Sequence, residues 1–170
     1  MFEQKLTKRA KNAINLAGQI AMEMGHKYVG TEHLLAGLIK EGGGVAAKVL
    51  AENGVFLRKI ETKIDFFVGL DLPITIPTIA FTPRTKSVLE HSYNEARKLG
   101  HSYIGTEHIL ISLLRESDSL AVRILSDLGI NIQKVYADIL KLITDNKTEN
   151  ISETNPASEV ANGRKGPKNA

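Results

Sequence analysis

The sequence predicts an all-α protein built from two copies of one helical unit. Residues 5–60 align with residues 80–135 at a constant shift of 75 positions, with about 18 of 56 positions identical and no gap. Apolar residues recur at helical spacing in both copies, and the alternating pattern of strands is nearly absent. Because 75 residues exceed the roughly 20–50 residues of most solenoid repeats, we expect each copy to be a small helical domain.

Four helices are predicted in the first copy, which we place at residues 1–70. Apolar residues at spacings of three and four mark each helix, and glycines separate the helices. The predicted helices run from Ala10 to Met24, from the octet YVGTEHLL at 28–35 to Ile39, from Val45 to Leu50, and from Leu57 to Phe67.

The second copy, at residues 82–144, repeats this organisation. Its first helix is predicted to start with Thr82 as N-cap and Pro83 at the first helical position, and to end at Gly100. The three helices that follow carry apolar residues from Ile109, Leu120 and Ile132 onwards. The sequence therefore predicts two tandem four-helix repeats related by a pseudo-twofold axis.

Two segments lie outside these repeats. Residues 71–81 form the predicted connector, where two prolines in PITIPTIAF favour an extended chain over a sheet strand. From residue 145 to residue 170 the sequence is polar and poor in apolar residues, so we expect a flexible linker or tail.

Composition indicates a packed protein with no nucleic-acid or membrane partner. Hydrophobic residues make up 42% and charged residues 24%, which is typical of soluble domains. The net charge is only +3, and Arg164, Lys165 and Lys168 near the end contribute to it. Cysteine is absent, which excludes disulfides and thiolate metal sites. No secretory signal or run of about 18 apolar residues occurs, so we predict a cytoplasmic location.

A longer motif surrounds the octet in both copies. It is GHKYVGTEHLLAGLIKE in the first and GHSYIGTEHILISLLRE in the second. This motif resembles the Clp amino-terminal repeat, which caps the Clp/Hsp100 AAA+ unfoldases, and the resemblance covers residues 2–143. The segment FTPRTKSVLEHSYNEARKLGHSYIGTEHIL is most similar to the ClpC branch. The resemblance implies a domain that receives substrates and adaptor proteins.

The ATPase modules of such unfoldases are not encoded in this sequence. The phosphate-binding pattern G-x-x-x-x-G-K-[ST] does not occur in it. We therefore expect a non-enzymatic chain without cofactor or metal, monomeric because the ring-forming modules are absent. We also expect the tail to lead towards ATPase modules of the same polypeptide, with a standalone regulator of a Clp unfoldase as the alternative.

The repeated octet has an ordinary structural interpretation. Thr31 and Thr106 follow glycine and precede an apolar helical run, as N-caps do. Glu32 and Glu107 would then occupy the first helical position, where the helix dipole favours an acid by roughly 0.3–1 kcal/mol. The histidines that follow would form local hydrogen bonds. A metal site is disfavoured because no H-E-x-x-H spacing is present.

A second interpretation gives the octet a ligand. A helix start offers free N–H groups to a phosphate, and a neighbouring carboxylate can pair with a cation. Each copy has another helix start, at Thr7 or Thr82, and convergence of the two starts within a copy would form such a pocket. Phosphoarginine carries both charges. The loop at residues 42–44 is all glycine, whereas Ser117, Asp118 and Ser119 stand in the second copy, so the two sites are expected to differ.

The family resemblance favours the ligand interpretation. ClpC-type N-domains of Gram-positive bacteria recognise arginine-phosphorylated proteins, and the pocket glutamate of that family falls in the G-T-E-H motif. The resemblance therefore assigns phosphoarginine binding to Glu32 and Glu107. It also implies that four threonines assist the phosphate, namely Thr7, Thr31, Thr82 and Thr106. Docking of adaptors without a phosphoarginine site is the alternative.

Overall fold

Eight α-helices form the part of the chain described by the computed structural model, which covers residues 2–75 and 80–145. A short 3₁₀ helix, Phe2–Lys5, precedes them. The helices of the first copy are α1 (Lys8–Glu23), α2 (Thr31–Glu41), α3 (Val45–Glu52) and α4 (Leu57–Val68). Those of the second copy are α5 (Pro83–Lys98), α6 (Thr106–Arg115), α7 (Leu120–Asp127) and α8 (Ile132–Asp145).

The predicted all-α fold with its internal repeat is confirmed. The glycines that end helices do so with a left-handed backbone, as at Gly25 and Gly100, where φ is 78° and 77°. Thr82 and Pro83 start α5 as expected. The 3₁₀ helix was not predicted. Part of the predicted connector (residues 76–79) and the predicted tail after residue 145 lie outside the described residues, and the proposed domain boundaries stay predictions.

The core is shared by both copies. One contiguous cluster of buried side chains includes Leu35 and Leu50 from the first copy and Leu110 and Leu125 from the second. Two short backbone pairings also join the copies, between Leu6 and Ile104 and between Val29 and Phe81. Each repeat therefore buries its apolar faces partly against the other repeat. Within the described range, no helix is long and apolar enough to cross a membrane.

The pair α1–α2 packs more closely than its equivalent α5–α6. Gly37 of α2 lies directly against Ala13 and Ala17 of α1, where a Cβ atom would collide with the Ala13 carbonyl oxygen. At the equivalent position of α6, the Ser112 hydroxyl donates to the Val88 carbonyl at 2.7 Å. The same sequence pattern thus supports two different distances between helices.

Candidate ligand sites at the repeated helix starts

The structure corrects the expected N-caps of the octet helices. The N-cap residues of α2 and α6 are Gly30 and Gly105, whereas Thr31 and Thr106 are the first residues of the helices. The glutamates that follow therefore occupy the second helical position and not the first. The helix dipole still favours an acid there, because its effect extends over the first turn.

The two octet threonines cap helices of the opposite copy. The Thr31 hydroxyl accepts a hydrogen bond from the Ala121 N–H, at the start of α7, at 3.2 Å. The Thr106 hydroxyl accepts one from the Ala46 N–H, at the start of α3, also at 3.2 Å. Both threonines are buried. Each octet therefore satisfies a backbone donor at a helix start of the opposite repeat.

The other two threonines also lie beside the opposite copy. Thr7 caps α1 and Thr82 caps α5, each accepting a backbone N–H at 3.1 Å. The Thr7 N–H donates to the Ile104 carbonyl at 3.0 Å, immediately before the α6 start. The Thr82 N–H donates to the Val29 carbonyl at 3.1 Å, immediately before the α2 start. The helix starts therefore converge across the copies, and the expected pairing within each copy is wrong.

Two composite sites result, and we name each after its arginine. The Arg84 site combines the starts of α2, α5 and α7, and the Arg9 site combines the starts of α6, α1 and α3. The side chains of the Arg84 site are Thr31, Glu32, Thr82 and Arg84. The side chains of the Arg9 site are Thr7, Arg9, Thr106 and Glu107. All six residues predicted from the sequence lie in these two sites.

The glutamates fold back over the glycines that precede them. Glu32 is 8% exposed and Glu107 is 0% exposed. A Cβ atom at Gly30 or Gly105 would collide with the carboxylate of Glu32 or Glu107, respectively. The glycine of the G-T-E-H motif therefore makes room for the acid. Burial raises the pKa of Glu32, because the charged form loses hydration.

A chain of histidine hydrogen bonds supports the start of each octet helix. Gly30 N–H donates to His33 Nδ1 at 2.9 Å, so the proton of His33 must sit on Nε2. His33 Nε2 lies 2.8 Å from His26 Nδ1, and His26 Nε2 lies 2.7 Å from the Gly69 carbonyl oxygen. His33 Nε2–H can then donate to His26 Nδ1, and His26 Nε2–H to the Gly69 carbonyl, so that each ring nitrogen is either a donor or an acceptor. The histidines thus connect the α2 start to the end of α4.

The second copy repeats the first two links of this chain. Gly105 N–H donates to His108 Nδ1 at 2.9 Å, and His108 Nε2 lies 2.7 Å from His101 Nδ1. Burial lowers the pKa of His33 to about 4 and that of His108 to about 3, with a smaller contribution from the neighbouring histidine. The 3.7 Å approach of His33 Nδ1 to Glu32 is therefore not an ion pair, since that nitrogen already accepts the Gly30 proton.

The two arginines were not predicted as site residues. Arg9 Nη1 lies 3.1 Å from Glu41 and against Gly43, next to the α3 start. Arg84 occupies the equivalent position beside the α7 start. The signal in the sequence is that both copies carry an arginine two residues after Thr7 or Thr82. In residues 2–75 and 80–145, no group of three or more potential ligands could hold a metal ion.

A duplicated helical domain with two equivalent polar sites at its helix starts is the class that this geometry defines. The family of the Clp repeat (R) N-terminal domain matches residues 5–71 and 80–162. The chain therefore belongs to the Clp repeat N-terminal domain family.

Named relatives agree with this assignment. The chain is 44% identical over 148 residues to "Negative regulator of genetic competence ClpC/MecB" of Bacillus subtilis, covering 87% of this chain and 18% of that protein. It is 42% identical over 146 residues to "Chaperone protein ClpC1, chloroplastic" of Arabidopsis thaliana, covering 86% of this chain and 16% of that protein. The chain thus spans less than one fifth of these relatives.

The fold matches a solved N-domain. The N-terminal domain of the chaperone ClpD from Arabidopsis thaliana superposes with a TM-score of 0.69 at 29% sequence identity. The match covers 84% of this chain and 99% of that domain. Together with the family match and the two ClpC relatives, this match confirms the resemblance to a Clp N-domain of the ClpC type.

Proposed function

We propose that this chain is the substrate- and adaptor-recognition domain of a ClpC-type ATP-dependent unfoldase, and that its two sites bind phosphoarginine. One observation carries the proposal. Each site places a buried glutamate beside the starts of three helices, two of one copy and one of the other. An acid within a group of positive helix ends suits a ligand that joins a guanidinium to a phosphoryl group.

The helix starts account for the phosphoryl half of the ligand. Backbone N–H groups in the first turn of a helix lack partners within that helix and favour an anion. Each threonine hydroxyl accepts a backbone hydrogen bond and also carries a proton that it can donate, and the Thr82 hydroxyl shares a 2.8 Å hydrogen bond with the Thr85 hydroxyl. Thr82, at the junction between the copies, is partly exposed, whereas Thr7, Thr31 and Thr106 are buried. We therefore expect Thr82 to be the first threonine that the phosphoryl group contacts at the Arg84 site.

The glutamates account for the guanidinium half. A carboxylate can accept two parallel hydrogen bonds from a guanidinium, which gives the pair a fixed orientation. Burial raises the pKa of Glu32, and a bound cation would oppose that effect by favouring the charged carboxylate. Phosphoarginine binding at the Arg84 site should therefore weaken as the pH falls and Glu32 becomes protonated.

Capture at these sites would serve an ATPase ring tethered to the domain. The chain would dock marked proteins or adaptors and pass them on to that ring. Tethering raises the concentration of substrate near the ring without new chemistry. Because one relative is named as chloroplastic, the cytoplasmic location stays a prediction.

Isothermal titration of phosphoarginine into the chain tests the proposal. We expect two ligands per chain for the wild type and one for either Glu32→Gln or Glu107→Gln. The double variant should bind none, while exposed Glu52→Gln should behave as wild type. Free arginine and inorganic phosphate, each carrying half of the ligand, should bind far more weakly.

Two outcomes would contradict the proposal. One is the absence of phosphoarginine binding to a folded wild-type chain, which would leave adaptor docking as the recognition function. The other is unchanged binding by Glu32→Gln/Glu107→Gln with its helical circular dichroism intact, which would remove the glutamates from the site.

A further inference from the structure

The two arginines have different surroundings, although they occupy equivalent positions. Arg84 Nη1 lies 2.5 Å from Asp118 Oδ1 and 3.3 Å from Glu116 Oε1, and Arg84 Nη2 lies 3.5 Å from Asp118 Oδ2. Arg9 Nη1 has Glu41, the counterpart of Glu116, at 3.1 Å. The counterpart of Asp118 is Gly43, which brings no second carboxylate to Arg9.

Asp118 occupies the position that an anionic ligand of Arg84 would need. Its side chain is 79% exposed and projects from the loop immediately before the α7 start. The contact to Arg84 lowers the pKa of Asp118, so the carboxylate stays charged throughout the neutral range. A phosphoryl group approaching this helix start must displace Asp118 from Arg84 or bind beside a like charge.

We infer that Asp118 acts as an internal competitor for the phosphoryl group at the Arg84 site, and that Gly43 leaves the Arg9 site without this competition. This inference rests on the proposed function and concerns how strongly each site binds. Asp118 is thus a residue that sets affinity without contacting the ligand.

Reciprocal variants move the competing carboxylate between the sites. Asp118→Gly removes it from Arg84, and Asp118→Asn removes its charge while keeping its size. Gly43→Asp adds it beside Arg9. The three atoms nearest to the Cβ atom of that variant belong to flexible side chains, two to the end of Arg9, which can shift, and one to Glu41 at 3.3 Å. Each variant can therefore fold with the wild-type helices.

Each variant is measured with only one site active. Glu107→Gln inactivates the Arg9 site, so that Asp118 can be varied in a chain that binds phosphoarginine at the Arg84 site alone. Glu32→Gln serves in the same way for Gly43. Circular dichroism and thermal unfolding confirm that each variant is folded before titration.

The expected changes are opposite in the two sites. In the Glu107→Gln background, Asp118→Gly and Asp118→Asn should each tighten phosphoarginine binding by about tenfold, because one unit charge no longer opposes a dianion a few ångströms away. In the Glu32→Gln background, Gly43→Asp should weaken binding by a similar factor. Raising the salt concentration should reduce both changes, since exposed charges are screened.

The results separate this inference from the proposed function. Binding that is unchanged in Asp118→Gly and Asp118→Asn would overturn the competition and leave phosphoarginine recognition intact. Weaker binding in these variants would also overturn it, and would indicate that Asp118 holds Arg84 in place for the ligand. Absence of phosphoarginine binding in every folded chain would overturn both.

Discussion

The helix pairs α1–α2 and α5–α6 carry the same motif but pack differently. Small residues line α1 where it meets α2, with Ala13 and Ala17 against Gly37. In α5 the equivalent positions are Val88 and Ser92, which need more room. Polar side chains fill the wider interface, including the Glu95–Arg115 pair at 2.5 Å. The comparison shows that the G-T-E-H motif can be kept while the packing of its helix against the preceding helix changes.

The two buried histidines His33 and His108 should give the largest expected effect, a loss of protein stability at acid pH. Because burial lowers the pKa of His33 to about 4 and that of His108 to about 3, both are neutral in the folded chain. The unfolded chain takes up these protons below about pH 6.5, so stability falls as the pH falls. The loss continues down to about pH 4 for His33 and about pH 3 for His108. At pH 4 it amounts to about 3 kcal/mol for each histidine.

Glutamine variants can isolate this effect. His33→Gln/His108→Gln removes the titration while keeping a side chain that can accept the glycine N–H from the third helical position. Urea unfolding from pH 7 to pH 4 should therefore show a flatter decline for the double variant than for the wild type. Exposed His91→Gln is the matched control and should follow the wild-type curve. Parallel curves for all three chains would contradict the neutral histidine chain.

The packing of α1 against α2 predicts the next largest effect. Gly37→Ala should destabilise the chain by about 3 kcal/mol, because its Cβ atom would collide with the Ala13 carbonyl oxygen and push the helices apart. Ser112→Ala in the second copy should cost only about 1 kcal/mol, the value of one hydrogen bond. Chemical denaturation of both variants measures the difference. Equal losses of stability in Gly37→Ala and Ser112→Ala would contradict the closer packing of α1 against α2.

The cross-copy threonine caps should contribute smaller amounts. Thr31→Val and Thr106→Val each leave one buried backbone N–H without its acceptor, which should cost about 1–2 kcal/mol. Serine at either position keeps the hydroxyl and should restore most of the stability. Thr62→Val on the exposed surface of α4 is the control, with a change below about 0.5 kcal/mol. Valine variants as stable as this control would contradict the capping role.

The Glu95–Arg115 pair predicts the smallest effect. Arg115→Met removes a hydrogen-bonded partner of the buried Glu95 and should cost about 1 kcal/mol, since Arg115 is half exposed and Lys98 lies nearby. Its counterpart Lys40→Met, where Ile20 replaces the acid, should change stability by less than about 0.5 kcal/mol. Thermal unfolding of the two variants compares them. A larger loss for Lys40→Met would contradict the difference between the interfaces.

The helices and the location of the six proposed site residues at helix starts could be predicted from the sequence, but the partners of these residues could not. Glycines and apolar spacing define each helix locally, and Thr82-Pro83 is a local start signal. The contact of Thr31 with Ala121 spans 90 residues. Because both copies carry the same motif, a pattern of convergent helix starts fits pairing within a copy as well as pairing across copies. Only the packing of the two repeats distinguishes these arrangements.

Two further features could not be predicted from the sequence, because they depend on contacts in the folded chain. Gly30 and Gly105 lack the Cβ atom that would collide with the neighbouring glutamate carboxylate. The sequence spacing indicates only that a helix ends or begins at these glycines. The sequence places the N-caps one residue too late, since threonine is a more frequent N-cap than glycine. Here the threonine hydroxyl serves another helix, which leaves the glycine as the cap.

The central claim is that each site takes its glutamate from one copy and the threonine at the junction of the copies, Thr82 or Thr7, from the other. Thr82→Asp and Thr7→Asp keep a good helix cap while placing a negative charge where the phosphoryl group would bind. Titration of phosphoarginine into Glu32→Gln/Thr82→Asp should still give one bound ligand per chain, because both changes affect the Arg84 site. Glu32→Gln/Thr7→Asp should bind none. The reverse result, with one ligand bound by the second variant and none by the first, would contradict composite sites.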